Sequence, residues 1–174
     1  MRRAFYPYPY PYLYLFPFTF FLFLLLPAKA SADVTGFLGA NSTPTTRPVR
    51  GFAIGTGLVI VGFEFEYAHT SDDLENAAPE LRTFMFNGLV QTPIPIARMQ
   101  FYGTAGGGVF RETLDLISGD RISETNVGIN VGGGVKITLI GPLRLRLDYR
   151  VHTLHGTTLY SNPKRFYAGV NLKF

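Results

Sequence analysis

The residues best suited to chemistry gather near the C-terminal end of the chain. His152, His155, Thr157, Thr158 and Ser161 follow Asp148 within a short span. A histidine that takes a proton from a hydroxyl, itself oriented by a carboxylate, is the apparatus of acyl transfer. Asp148 is the last acidic residue, however, so no carboxylate follows on the final segment. A second candidate is Gly132-Gly133-Gly134-Val135-Lys136. A phosphate-cradling loop needs Gly-Lys-[Ser/Thr] followed by a helix. Here Val135 separates glycine from lysine and the flanking pattern is that of a strand, as it is around Gly106-Gly107-Gly108. A third set is acidic: Asp72, Asp73, Glu75 and Glu80, then Glu112, Asp115, Asp120 and Glu124 with Arg121 between them. Neither group has the ligand spacing of a calcium loop. Arg47 with Arg50, and Lys164 with Arg165, form two small basic counterparts. These residues are expected in solvated loops, where acidic groups could hold divalent cations and basic ones could touch lipid phosphates. No catalytic, cofactor-binding or metal-ligating set is expected.

The elements that would position these residues alternate apolar and other side chains with period two, the mark of strands. In Val61–Thr70, Val61, Phe63, Phe65 and Tyr67 oppose Gly62, Glu64, Glu66 and Ala68. In Leu143–Val151, Leu143, Leu145, Leu147, Tyr149 and Val151 oppose Arg144, Arg146, Asp148, Arg150 and His152. Val127–Leu139 sets valines, isoleucines and leucine against glycines, asparagines, Lys136 and Thr138. Arg82–Thr92 and a segment closing on Phe166, Ala168, Val170, Leu172 and Phe174 behave likewise. Asp33–Asn41, Gly51–Leu58 and Arg98–Arg111 bring the expected strands to eight. The links between them alternate long and short: 42–50 long, 59–60 short, 71–81 long, 93–97 short, 112–125 long, 140–142 short, 154–163 long. An up-and-down antiparallel meander puts every second link at one end, so tight turns collect at one end and loops at the other.

The polar face contains Glu64, Glu66, Lys136, Arg144, Arg146, Asp148, Arg150 and Lys173, interleaved with glycines. Small and charged side chains suit a narrow barrel bore, where opposite charges pair, and the large apolar face then meets hydrocarbon. Only helices and closed barrels satisfy every backbone polar group in lipid. The fold class expected is therefore all-β, an eight-stranded antiparallel transmembrane β-barrel. A barrel of this size is filled by its own side chains, so an ion-paired core is expected rather than a wide pore.

Composition supports export. Arg2 and Arg3 precede an apolar run from Leu13 to Leu26, and Ala30-Ser31-Ala32 offers a signal-peptidase site before Asp33, with Ala28-Lys29-Ala30 as an alternative. The expected division is a cleaved signal peptide over 1–32 and one barrel domain over 33–174. The Tyr-Pro alternation from Tyr6 to Tyr12 is either a low-complexity extension or an upstream start. There are 16 Lys and Arg against 12 Asp and Glu. Losing Arg2, Arg3 and Lys29 with the leader makes the remainder nearly neutral, and no basic run suits nucleic acid. The absence of cysteine excludes disulfides and thiolate sites.

Finally, RFYAGVNLKF ends on an aromatic residue with apolar residues at alternate positions. It is similar to the sorting signal read by the outer-membrane barrel-assembly machinery, carried here by Phe166, Val170, Leu172 and Phe174. With GFEFEY, GTAGGGVF, GINVGGGVKITL and LRLRLDYRV, the whole chain after the leader resembles OmpA/OmpX-like barrel-domain proteins. The resemblance implies an outer-membrane location with both termini periplasmic, and contact with outer-membrane lipid and lipopolysaccharide. It also implies a monomer with a structural or surface-interaction role. The chain stops at Phe174, so the barrel alone is expected, without a peptidoglycan-binding domain. Two alternatives are kept: a narrow or gated small-solute channel, and a lipid A-modifying hydrolase. The second is weakened because the His-x-Ser-Asn pattern of lipid A deacylases is not met.

Overall fold

The computed structural model of the chain describes residues 31–76, 78–115, 121–156, 158 and 160–174. The signal-peptide reading rests on residues 1–32, of which 1–30 lie outside the described residues, as do Asp120 and Thr157. Eight strands follow one another: β1 Ser31–Asn41, β2 Arg47–Gly57, β3 Val61–Thr70, β4 Glu80–Gln91, β5 Met99–Asp115, β6 Arg121–Thr138, β7 Leu143–Leu154 and β8 Lys164–Lys173. Each pairs antiparallel with the next, and β8 pairs back onto β1, so the sheet closes as a barrel in chain order. Closure leaves no edge along the wall.

The period-two pattern sorts side chains as the expected strands require. Phe63 and Phe65 are 51% and 42% exposed, whereas Glu64 and Glu66 between them are 2% and 0% exposed. Val34, Ile54, Phe86, Ile129, Val131, Phe166 and Val170 continue the exposed apolar wall around the cylinder. A water-soluble domain rarely exposes a contiguous apolar patch beyond a few hundred Å². This wall encircles the whole molecule, which suits hydrocarbon as its solvent.

The two ends differ, though less strictly than the expected alternation of links. At the end carrying both termini the three turns are tight, the first closed by the Leu58 N–H donating to the Val61 carbonyl at 2.8 Å. Ile96 and Met99 exchange backbone hydrogen bonds of 2.8 and 2.9 Å across Ala97 and Arg98, which both take positive φ (50° and 68°). That is the two-residue hairpin whose twist matches the strands. Gly141 takes φ 57° in the turn between β6 and β7. At the other end, two of the expected long loops are shortened because strand replaces loop. β2 begins at Arg47, and β5 and β6 pair as far as Asp115↔Arg121. Glu112–Thr125 is thus mostly a hairpin that outruns its neighbours. Pairing of β4 to β5 stops at Glu80↔Thr113, and pairing of β6 to β7 starts only at Gly128↔Leu154. Arg98, expected at the start of the fifth strand, is a turn residue instead.

Candidate functional site

The bore holds the densest cluster of ionisable groups. Leu143–Leu154 alternates so that Arg146, Asp148 and Arg150 all point inward from β7, with their side chains fully removed from solvent. Glu64 and Glu66 point inward from β3 on the opposite wall. The Arg146 guanidinium pairs with Glu64 and lies 3.0 Å from Asp148. Arg150 reaches three carboxylates: Glu64 at 2.8 Å, Glu66 at 3.1 Å and Asp148 at 2.9 Å. Two tyrosines tie the cluster together. Tyr102 donates its hydroxyl hydrogen to Asp148 and accepts from Arg146 Nε at 2.7 Å. Tyr167 donates to Glu66 at 3.1 Å and accepts from Arg150 at 3.2 Å.

Arg165, at the loop end of β8, completes the set by pairing with Glu66 at 3.1 Å and donating to Thr83 at 3.2 Å. Three arginines therefore face three carboxylates, and the cluster is neutral as a whole. Neutrality matters because an unpaired buried charge costs several kcal/mol, roughly 3–5 when one partner of a pair is removed.

Of the residues expected to line the bore, Glu64, Glu66, Arg146, Asp148 and Arg150 come together in this cluster. Lys136 does not join it; its ammonium pairs with Asp33 nearer the turn end. Arg144 lies at the mouth, half-buried, donating to Gln100 at 3.1 Å, and is separate from the carboxylate cluster. Sequence reasoning missed Arg165, Asp33, Tyr102 and Tyr167. The charge of Lys164 and Arg165 suggests a solvated loop, and the register of β8 places Arg165 inside instead. Arg47, expected in a loop for the same reason, is buried and donates to the Thr43 carbonyl at 3.1 Å and the Ser71 carbonyl at 3.2 Å, bracing the loop end. Arg50 is on β2 and points outward. The alternation of β8 itself was the available signal for Arg165, since it lies an even number of residues before Tyr167 and Gly169.

Glycine makes room for these long side chains. A Cβ at Gly132 would meet the Tyr149 carbonyl oxygen at 2.2 Å and Arg150 Cγ at 2.9 Å, and one at Gly134 would meet the Leu147 carbonyl oxygen at 2.2 Å, the Tyr102 hydroxyl at 2.5 Å and its ring at 2.8 Å. The glycine run that superficially resembles a phosphate loop is therefore the clearance opposite Arg150 and Tyr102, in the middle of β6.

The hydrolase candidates are not assembled. His152 is buried in the bore, with neither ring nitrogen hydrogen-bonded to protein, while His155 and Ser161 are exposed at the loop end. Ser161 is engaged through its carbonyl, which accepts from the Leu154 N–H at 2.7 Å. Among the described residues no group of three or more His, Asp or Glu could hold a metal ion. In the acidic loop, Asp73 accepts from Asn76 at 2.9 Å and from Thr45 at 3.0 Å, and these bonds, that from Asn76 foremost, lower its pKa. Phe166, Val170, Leu172 and Phe174 all point outward from the last strand and its end.

Known proteins share this architecture. Neisserial surface protein A superposes with a TM-score of 0.66 at 16% identity, covering 83% of this chain and 97% of that one. The N-terminal β-barrel domain of Pseudomonas aeruginosa OprF gives 0.62 at 15% identity, covering 83% and 97%. Ail, the attachment invasion locus protein of Yersinia pestis, solved with the heparin analogue sucrose octasulfate, gives 0.54 at 12% identity, covering 83% and 98%. No curated protein matches the sequence. The family model for the outer membrane protein beta-barrel domain matches residues 18–174. Closed eight-stranded topology, an apolar outer wall, a charged bore and this match agree: the chain belongs to the outer membrane protein β-barrel domain family, in its OmpA/OmpX-like eight-stranded form.

Proposed function

We propose that the protein is a non-enzymatic, monomeric pillar of the outer membrane that presents its loop end to the cell surface for structural or binding contacts. The observation that carries this reading is the neutral plug of Arg146, Arg150 and Arg165 with Glu64, Glu66 and Asp148, cross-tied by Tyr102 and Tyr167. It fills the bore where a channel would need open space. The separation of buried His152 from exposed Ser161 argues against acyl-ester hydrolysis. Tight turns and both termini share one end, which is the periplasmic end in barrels of this class. On this reading the outward row Phe166, Val170, Leu172 and Phe174 is what the assembly machinery reads. Outer-membrane lipid and lipopolysaccharide are the constant partners of the wall.

The test is proteolysis of intact cells combined with planar-bilayer recording. Cleavage within residues 71–79 with a C-terminal tag protected, and no stepwise conductance, is expected. Protected loops with a surface-accessible C-terminus, or regular conductance steps, would overturn the reading.

A further inference from the structure

Near the loop end the apolar outer wall gives way to charge across β2 to β5. Strand register aligns four basic side chains there on adjacent strands: Arg50 of β2 opposite His69 of β3, His69 opposite Arg82 of β4, and Arg82 opposite Arg111 of β5. All four lie on the outward face. Val49 and Phe110, neighbours of Arg50 and Arg111, point into the bore at 2% and 1% exposure. Arg82 and Arg111 are directly opposite one another, an arrangement of like charges that destabilises a sheet. Glu80 answers part of this charge, pairing with Arg82 and lying 3.3 Å from His69 Nδ1. It cannot balance three arginines, so the row stays positive.

Two residues toward the turn end along each strand, the same face carries Phe52, Tyr67, Phe84 and Val109, again mutually opposite. Phe52 and Tyr67 have ring centroids 5.7 Å apart, and Tyr67 and Phe84 4.8 Å apart. Below them come Ile54, Phe65 and Phe86. Aromatic girdles mark the boundary between hydrocarbon and headgroups in outer-membrane barrels. The basic row therefore stands at headgroup height, directly above that boundary. A groove in the outer wall, lined by Leu38, Arg50, Phe52, Tyr67, His69 and Arg82, joins the two levels. Its lower part is apolar and its upper part cationic, as an acyl chain ending in an anionic headgroup requires.

We infer that Arg50, His69, Arg82 and Arg111 form a lateral binding site for the phosphates of a phosphorylated glycolipid of the lipopolysaccharide type, whose acyl chain lies in the groove below. Guanidinium forks match phosphate oxygens in bidentate fashion. Three interstrand gaps of about 4.8 Å make the row roughly 14 Å wide, enough for more than one phosphate on one lipid. The inference rests on the proposed orientation, which places the loop end in the outer leaflet.

The test uses the intact barrel in symmetric nanodiscs, where binding does not depend on which end faces outward. Lipid A, dephosphorylated lipid A or phosphatidylglycerol is titrated into phosphatidylcholine discs, and the thermal midpoint of the heat-modifiable gel shift is read. Lipid A should raise the midpoint, and the other two should raise it far less. Each arginine lost should weaken lipid A binding about fivefold, so the triple change Arg50→Gln, Arg82→Gln and Arg111→Gln should cost about a hundredfold. Lys164→Gln, elsewhere on the barrel, should leave binding unchanged, and Arg111→Gln alone covers the case in which the triple variant fails to fold. Equal shifts with and without lipid phosphates, or full binding by Arg111→Gln, would overturn the site. Equal response to phosphatidylglycerol would reduce it to unspecific attraction and also overturn it. Failure of the orientation itself would appear separately, as loops protected from protease in intact cells.

Discussion

Arg146 and Arg144 lie two residues apart on one strand and face the same way, yet the structure gives them different consequences. Arg146 is enclosed and pairs with Glu64 and Asp148. Arg144 stands at the mouth, half-buried, and donates to the neutral side-chain amide oxygen of Gln100 rather than to a carboxylate. Arg146→Gln should therefore lower barrel stability by about 3–5 kcal/mol, because two carboxylates lose a partner inside the bore. Arg144→Gln should cost no more than about 1 kcal/mol, as for other half-exposed charges. Urea unfolding followed by heat-modifiable mobility checks both, and equal losses would contradict the cluster. Glu64→Gln with Arg146→Gln should lose less than the sum of the single changes, since the double variant removes a cation and an anion together. At Gly134, a valine would press on the Leu147 carbonyl of β7 and displace the Tyr102 hydroxyl from Asp148 and Arg146. The loss should exceed that for Gly103→Val, where a Cβ meets nothing within 4 Å.

Strands are set by alternation, and alternation is written in the chain. The segments Val61–Thr70 and Leu143–Val151 show it without interruption, and both are strands with charged residues inward. Ends of strands were less legible, because extra pairing depends on a neighbour's backbone rather than on a segment's own composition. Thr113, Glu124 and Thr125 have loop-like polarity, yet Thr113↔Ser123 and Glu112↔Glu124 are paired. Polar side chains suit a hairpin in water as well as a loop. The same blindness hid Arg165 and Arg47, whose charge suggested solvent until register placed them inside. The outward basic row was hidden for the opposite reason. It exists only across four strands, and no single segment shows it. The β5–β6 hairpin beyond Thr113 and Gly128 lacks a strand on either side and should be the least protected part of the sheet. Amide exchange there should be faster than in the paired centre of β5 around Thr104; uniform protection along β5 would contradict the pairing limits.

As a whole, the molecule is a cylinder whose solvent preferences are inverted relative to a soluble domain. Apolar residues face outward and ions face inward, with the charge of the interior balanced within a short height of the bore. That inversion is what residence in a membrane requires, and the proposed display of the loop end by a non-conducting barrel rests on it. Because the chain contains no tryptophan, single tryptophans can report the environment of each face. The most direct test places one at Phe65 or Phe86, outward, and one at Met85 or Phe110, inward, and measures fluorescence quenching by lipids brominated on their acyl chains. Strong quenching at 65 and 86 with little at 85 and 110 is expected. Quenching at 85 and 110 with none at 65 and 86 would mean that the apolar wall does not meet lipid, and the account would fail.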